Sequence, residues 1–251
     1  MNEPNNMYQN EPAFSPFAEN AVFVTMEQYV AKTFLWMFLG LLTTFGVAFG
    51  LAMNFLSSPG DSLVYKMFSV PYMSIILLVA ELGVVLWLSA RISQMSAGTA
   101  TALFFAYAVL NGIVFSSYFI VYDLMSLVFC FAAAAVYFGV MAAYGYLTKK
   151  DLSGWGRMLF AGLIAMVIIS LLGMFIGFGM FEIVVCGLGI LLFLAITAYD
   201  TQKVKAYYYQ FANDAEMAHK ASIFGALNLY LDFINLFLYI IRLLGKRNSN
   251  N

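Results

Sequence analysis

Two acids stand where a membrane-crossing run should hold none. Residues 191–209 read LLFLAITAYDTQKVKAYYY, which puts Asp200 inside an apolar stretch one helical turn before the lysines begin. Residues 226–244, ALNLYLDFINLFLYIIRLL, carry Asp232 in the next such stretch. Two carboxylates close together do not readily both ionise, so their titration belongs to the pair. Acids inside membrane-crossing runs are functional groups by default, so Asp200 and Asp232 are the first candidates for the site.

The run containing Asp232 carries the sharpest pattern. With Asn228 as origin and about 100° per residue, Asp232 falls near 40°, Asn235 near −20°, Tyr239 near 20° and Arg242 near −40°. These polar groups share one stripe about 80° wide, and Leu, Ile and Phe fill the remaining faces. A charge at depth costs about 3 kcal/mol or more against lipid, so the stripe must face the bundle interior or water. The alternative for the asparagines is structural, an interhelical hydrogen-bonding glue. Glu81 is an isolated acid near the middle of another apolar run, a candidate for the ion path with Asn228 and Asn235. Asn111 reads as a packing hydrogen-bonder, and Glu182 and Asp123 as solvated interfacial acids.

Other chemistries are excluded by absence of parts. The single histidine, His219, lies before the last run. That removes three-His zinc sites and Ser-His or Cys-His nucleophile pairs. No lysine lies between Ala221 and Leu244, so a retinal Schiff base in the last helix fails. Tyr199-Asp200 meets half of an aspartyl intramembrane protease signature, but Leu231-Asp232 lacks its glycines. Cys130 and Cys186 sit in apolar runs and read as buried thiols. The reading is of a non-enzyme with no cofactor.

The elements that position these acids follow from composition. Of 251 residues 63% are hydrophobic and 10% charged, with a net charge of −1. Soluble domains are about half apolar and about a quarter charged, so this is an integral membrane composition with no basic field for nucleic acid. Crossing about 30 Å of hydrocarbon takes about 20 helical residues. Seven runs qualify: 33–56, 70–91, 97–122, 124–147, 157–179, 181–203 and 221–244. All five prolines lie outside these runs or in a first turn. The expected fold is all-α, a seven-transmembrane-helix bundle over 33–245, between a polar N-terminal tail, 1–32, and a short polar tail, 246–251. The N-terminal tail reads as disordered to about Ala21 and lacks the pattern of a secretory signal. Gly173 and Gly177 fit close helix packing.

With the N-terminus inside, the inner set is Lys32, Arg91, Lys149, Lys150, Arg157, Lys203, Lys205 and Lys220. The outer set is Lys66, Arg242, Lys246 and Arg247. Eight against four favours a cytoplasmic N-terminus. A re-entrant last run would move the C-terminal cations inside, so the side of the C-terminus stays open at this level. Asp232 lies about 16 Å into its run and Asp200 shallower. They meet only if the last helix starts late or Asp200 lies deeper than its lysines suggest.

The residues also carry a resemblance. Thr197-Ala-Tyr-Asp-Thr-Gln-Lys203, Leu229-Tyr-Leu-Asp-Phe-Ile-Asn-Leu-Phe237 and Arg242-Leu-Leu-Gly245 closely resemble the Bax inhibitor family, within the transmembrane-Bax-inhibitor-motif superfamily. Leu110-Asn-Gly-Ile-Val-Phe-Ser-Ser117 and Asp151-Leu-Ser-Gly-Trp-Gly-Arg157 look like the same family. The resemblance spans about residues 32–247 and implies a seven-helix fold with the last helix central. It also implies a pH-sensitive calcium leak, with calcium as permeant ion and protons as regulator. Asp200 and Asp232 match its proton-sensing pair and on that reading are candidate transient calcium ligands, since carboxylates and Asn carbonyls are the hard oxygen donors calcium prefers. Arg91 matches the arginine that latches the first acid when closed. Other members act as stress or cell-death suppressors or modulate membrane proteolysis. A non-conducting regulator that binds a membrane partner such as a quality-control protease is therefore the alternative, and a proton-coupled transporter the third reading. A bacterial-type inner or plasma membrane is the expected location.

Overall fold

A computed structural model describes residues 25–91, 94–176 and 181–248. The N-terminal tail up to residue 24, Gly177 and the end of the 157–179 run, and residues 249–251 lie outside them. Eight α-helices run in chain order: α1 (Met26–Ser57), α2 (Leu63–Phe68), α3 (Met73–Arg91), α4 (Ala97–Val121), α5 (Leu124–Leu147), α6 (Gly156–Ile176), α7 (Glu182–Phe211) and α8 (Ala215–Leu244). A 3₁₀ turn, Ser153–Trp155, precedes α6.

The helices begin where short polar side chains satisfy the first free N–H groups. Thr25 accepts from the Gln28 N–H at 3.3 Å, Ser96 from Thr99 at 3.2 Å, Asp123 from Ser126 at 3.1 Å and Asp214 from Met217 at 2.9 Å. Thus Asp123 is an N-cap.

Among the described residues six stretches are long and apolar enough to cross a membrane: α1, α4, α5, Ser153–Gly173, α7 and α8. The expected 70–91 span is seen as the 19-residue helix α3, which is not among those six. Two boundaries also differ from expectation. The 181–203 run continues helical to Phe211, and the 221–244 run already begins at Ala215. The polar residues Lys203, Lys205 and Gln202 do not break a helix; only the 212–214 turn does.

α8 is the central helix. In its most apolar window 72% of residues are buried, against 11–39% in the other five stretches. It packs against α7, α1, α5 and α4. Small residues set the spacing and register of these contacts. A Cβ at Gly225 would meet Val204 at 2.9 Å, and one at Gly189 would meet the Tyr239 ring at 2.7 Å. On α5, Gly145 lies against the carbonyl of Ala198 with no room for a side chain.

The chain end decides the path of α8. After Gly245 the backbone forms a bridge between Arg247 and Tyr122. The Asp123 N–H donates to the Lys246 carbonyl at 2.9 Å, and the Asn248 N–H to the Val121 carbonyl at 3.0 Å. Residues 246–248 are thus fixed to the α4–α5 connection. At the other end of the bundle, the Lys205 ammonium on α7 donates to the Tyr146 carbonyl at the end of α5 (2.7 Å). A continuous 30-residue α8, about 45 Å long, joins the two ends. It crosses the bundle, and the re-entrant alternative is not adopted.

Gly145→Ala should lower thermal stability by about 1–3 kcal/mol, because the new methyl must push α5 off the backbone of α7. Gly139→Ala on the same helix meets nothing within 4 Å and should be neutral, or stabilise by up to about 1 kcal/mol. Thermal unfolding of the two variants in detergent checks the pair.

Candidate functional site

The α7–α8 register brings the two aspartates together. The helices run antiparallel, with Val204 opposite Gly225 and Gly189 opposite Tyr239. Counting from the first contact puts Asp200 level with Leu229, and from the second level with Asn228. Asp232 then lies about one turn, roughly 5 Å, further along α8. Asp232 is 3% exposed, and its Oδ2 atom is buried with no hydrogen-bond partner. Asp200 is half-buried. Asp232 feels the charges of Asp200 and Lys203, and Lys203 acts on Asp200 as well.

Asp200 lies deeper than its lysines suggested because α7 does not stop at them. From Asp200 the helix continues for three turns to Phe211. The two acids therefore come within electrostatic reach of each other without a late start to α8.

Lys203 is the site residue that sequence reasoning treated only as a marker of the helix end. It follows Asp200 by three positions, which puts both on one face of α7. Its ammonium stands over three rings, 5.8 Å from the centroids of Tyr199 and Tyr207 and 5.9 Å from that of Phe224. Such an enclosure holds a cation by the negative faces of the rings. Among the described residues no ion pair joins Lys203 to either acid.

Arg91 is placed elsewhere. It is exposed at the end of α3, where it donates to Gln94 Oε1 at 2.9 Å, and no ion pair with Asp200 is present among the described residues. α3 packs mainly on α4 and α2 rather than on α7. The latch expected between Arg91 and Asp200 is therefore not formed in this structure, because their helices are not neighbours.

The remaining stripe residues of α8 point to a second polar region, toward the opposite end. Asn235 donates from Nδ2 to its own helix, at the Leu231 carbonyl (2.8 Å), so it does not bridge helices there. Asn235, Tyr239 and Arg242 line a cavity of about 540 Å³ together with Ser170, Tyr118 and Leu82. Arg242 pairs with Glu182 at 3.4 Å, so Glu182 is not simply a solvated interfacial acid. Glu81 is half-buried, and its Oε1 atom has no hydrogen-bond partner. Its electrostatic neighbours are Tyr107, Tyr118 and Tyr230, on α4 and α8. Asn111 is buried and donates to the Tyr107 carbonyl at 3.1 Å.

Hydroxyl contacts hold α8 in place around the acids. Thr44 Oγ1 donates to the Ala108 carbonyl at 2.9 Å and shares a 2.7 Å hydrogen bond with the Tyr230 hydroxyl, joining α1, α4 and α8. Thr33 and Ser222 share another, at 2.9 Å, between α1 and α8. Next to Asp200, Thr201 is fully buried and its Oγ1 atom lacks a partner. Among the described residues no group of three or more His, Cys, Asp or Glu side chains gathers to hold a metal ion. Two carboxyls with Asn228 nearby suit transient contact with a hard cation better than tight retention.

A buried carboxyl without its full complement of hydrogen bonds destabilises the fold, and more so when ionised. Asp232→Asn should therefore raise the melting temperature, with a larger gain at about pH 8 than at about pH 6, because ionisation grows with pH. Differential scanning fluorimetry of both proteins at the two pH values measures this; an equal or lower melting temperature for the variant contradicts it.

Residues 26–249 match the family described as "Inhibitor of apoptosis-promoting Bax1". The inner membrane protein YbhL of Escherichia coli (strain K12) is 41% identical over 223 residues, covering 88% of this chain and 93% of that protein. An uncharacterised protein of Rickettsia prowazekii is 37% identical, over 89% of this chain and 92% of its own. Another, of Borreliella burgdorferi, is 34% identical over 92% of this chain and 97% of its own.

Proposed function

The chain belongs to the Bax inhibitor-1 family of membrane proteins, and from that premise we propose that it is a pH-sensitive calcium leak channel gated by Asp200 and Asp232. The observation that carries this reading is Asp232 itself: a carboxyl 3% exposed at the middle of the central helix, one oxygen unpartnered, within electrostatic reach of a second carboxyl. A merely structural acid would be capped by donors; this one is left open to exchange a proton or meet a cation.

The mechanism follows from charge. In the closed packing the pair shares one negative charge, whose attraction to Lys203 holds α7 and α8 together with α8 filling the centre of the bundle. The second charge, gained as pH rises, is the one without a partner. Added protons neutralise the pair and weaken that attraction, which biases α7 and α8 toward an open arrangement. Calcium passing through meets carboxylate and amide oxygens at Asp200, Asp232 and Asn228. Toward the other end, the cavity lined by Asn235 and Arg242 continues the route. The cation acting on both acids in this packing is Lys203, and Arg91 would reach Asp200 only after a rearrangement of α3. The lysine and arginine distribution orients the N-terminus to the cytoplasm, and the relative named an inner membrane protein favours a bacterial plasma membrane.

Purified protein in calcium-free vesicles should admit calcium several-fold faster at about pH 6 than at about pH 8, and Asp200→Asn or Asp232→Asn should flatten that dependence. A fluorescent calcium indicator inside the vesicles reads the flux. No flux from pure, folded protein would leave the non-conducting regulator of membrane partners in its place. Saturation and counterflow with a substrate would point to a proton-coupled transporter.

A further inference from the structure

The α5–α6 end of the bundle holds a basic pocket of about 400 Å³. Lys149 and Lys150 of the α5–α6 loop and Lys203 and Lys205 of α7 line it, with Asp151 as its acidic member. The pocket is a built feature. Gln202 clamps the loop to α7: its Nε2 donates to the Lys150 carbonyl, and its Oε1 accepts from the Leu152 N–H, each at 2.8 Å. Asp151 is engaged within its own turn, accepting from the Ser153 N–H at 2.8 Å and the Ser153 hydroxyl at 2.9 Å. Those two donors hold its carboxyl below the usual carboxylate range. The acid is thus spent on the loop, and among the described residues none of the four lysines forms an ion pair. Lys205 is engaged with the Tyr146 carbonyl and Lys203 with its rings, and the exposed Lys149 and Lys150 are left, among the described residues, with no protein anion to answer them.

We propose that this pocket binds the phosphate of an anionic phospholipid headgroup. Its walls favour a lipid over a soluble anion. Tyr199 and Tyr209 form part of the wall, and tyrosines concentrate at the headgroup level. Immediately before the loop, Leu147 is 73% exposed, and just after it Trp155 is 50% exposed, which gives the acyl chains an apolar flank. Clusters of basic residues at the cytoplasmic ends of transmembrane helices attract anionic lipids by the same electrostatics. Lys203 lies in the pocket wall and also acts on Asp200 and Asp232. A bound phosphate would therefore lie beside the lysine whose charge also acts on the acid pair. The site stands or falls by binding, independently of whether the chain conducts calcium.

Native mass spectrometry of the detergent-purified full chain, titrated with phosphatidylglycerol, phosphatidylcholine or inorganic phosphate, tests the assignment. Phosphatidylglycerol should bind on the order of tenfold tighter than phosphatidylcholine, and Lys149→Gln with Lys150→Gln should remove about that tenfold. Lys246→Gln with Arg247→Gln, two charges removed at the opposite end of the bundle, should leave it unchanged. Lys149 and Lys150 are exposed, so an unchanged melting temperature is expected for their double variant. Lys149→Glu with Lys150→Glu should abolish the preference altogether. Equal binding of the two lipids, or an equal loss from both neutralised pairs, overturns the proposal. Displacement of the lipid by an equal concentration of inorganic phosphate would assign the pocket to a soluble phosphate and overturn the lipid reading.

Discussion

A carboxyl in the middle of a membrane-crossing helix has to be kept from lipid, and the fold is arranged around that requirement. Asp232 sits at the centre of α8, and α1, α4, α5 and α7 pack around that helix. The outer helices are mostly apolar on their exposed sides, with Phe38, Leu86, Val136 and Leu191 all more than half exposed. In water such a surface would be a fault, but in a bilayer it is the solvated face. The inversion concentrates polar groups inward: Thr33, Thr44, Asn111, Thr197, Thr201 and Ser222 are all buried. Each hydroxyl that bonds to another helix, as Thr44 does to Tyr230, adds positional definition that dispersion between apolar faces lacks.

Close approach of backbones is the second condition, because carboxyls on two helices interact only if the helices nearly touch. Gly225 and Gly189 allow α7 and α8 to pack at a fixed register, and Gly145 lets α5 press on α7 from the other side. The tyrosines of the basic pocket and two of its lysines are on α7, and the other two lysines lie in the α5–α6 loop. The acid pair, the aromatic enclosure of Lys203 and the basic pocket thus follow one another along α7 rather than being separate features. Across the bundle, Glu182 and Arg242 join the beginning of α7 to the end of α8. The two helices are therefore tied by charge at one end and by a turn at the other, with the acids between.

Much of this was legible beforehand, for physical reasons that act locally. Apolar run lengths marked the helices α1, α4, α5, α7 and α8, since the thickness of hydrocarbon fixes how many residues a crossing needs. The 100° period placed Asn228, Asp232, Asn235, Tyr239 and Arg242 on one face of α8. Polar residues misled at the ends. The lysines after Asp200 look like a helix terminus in a hydropathy scan, yet Lys203 and Lys205 find partners in aromatic rings and the Tyr146 carbonyl, so α7 continues. The short α2 and the pairing of the C-terminal residues with the α4–α5 connection carry no periodic signal and were not anticipated.

Hydrophobicity and helical period, properties of neighbouring residues, already establish a helical membrane protein with acids in two apolar runs, one of them, Asp232, on an inward-facing stripe. Only the tertiary structure decided which charges meet. Asp200 and Asp232 are 32 positions apart, and their proximity rests on the register that Gly225 and Gly189 impose on α7 and α8. Arg91 and Asp200 share an expected depth, but depth does not make neighbours; α3 packs on α4, and Lys203 stands closer to the pair. Which helix lies beside which is set by side-chain shape across the whole bundle, and no local pattern encodes it.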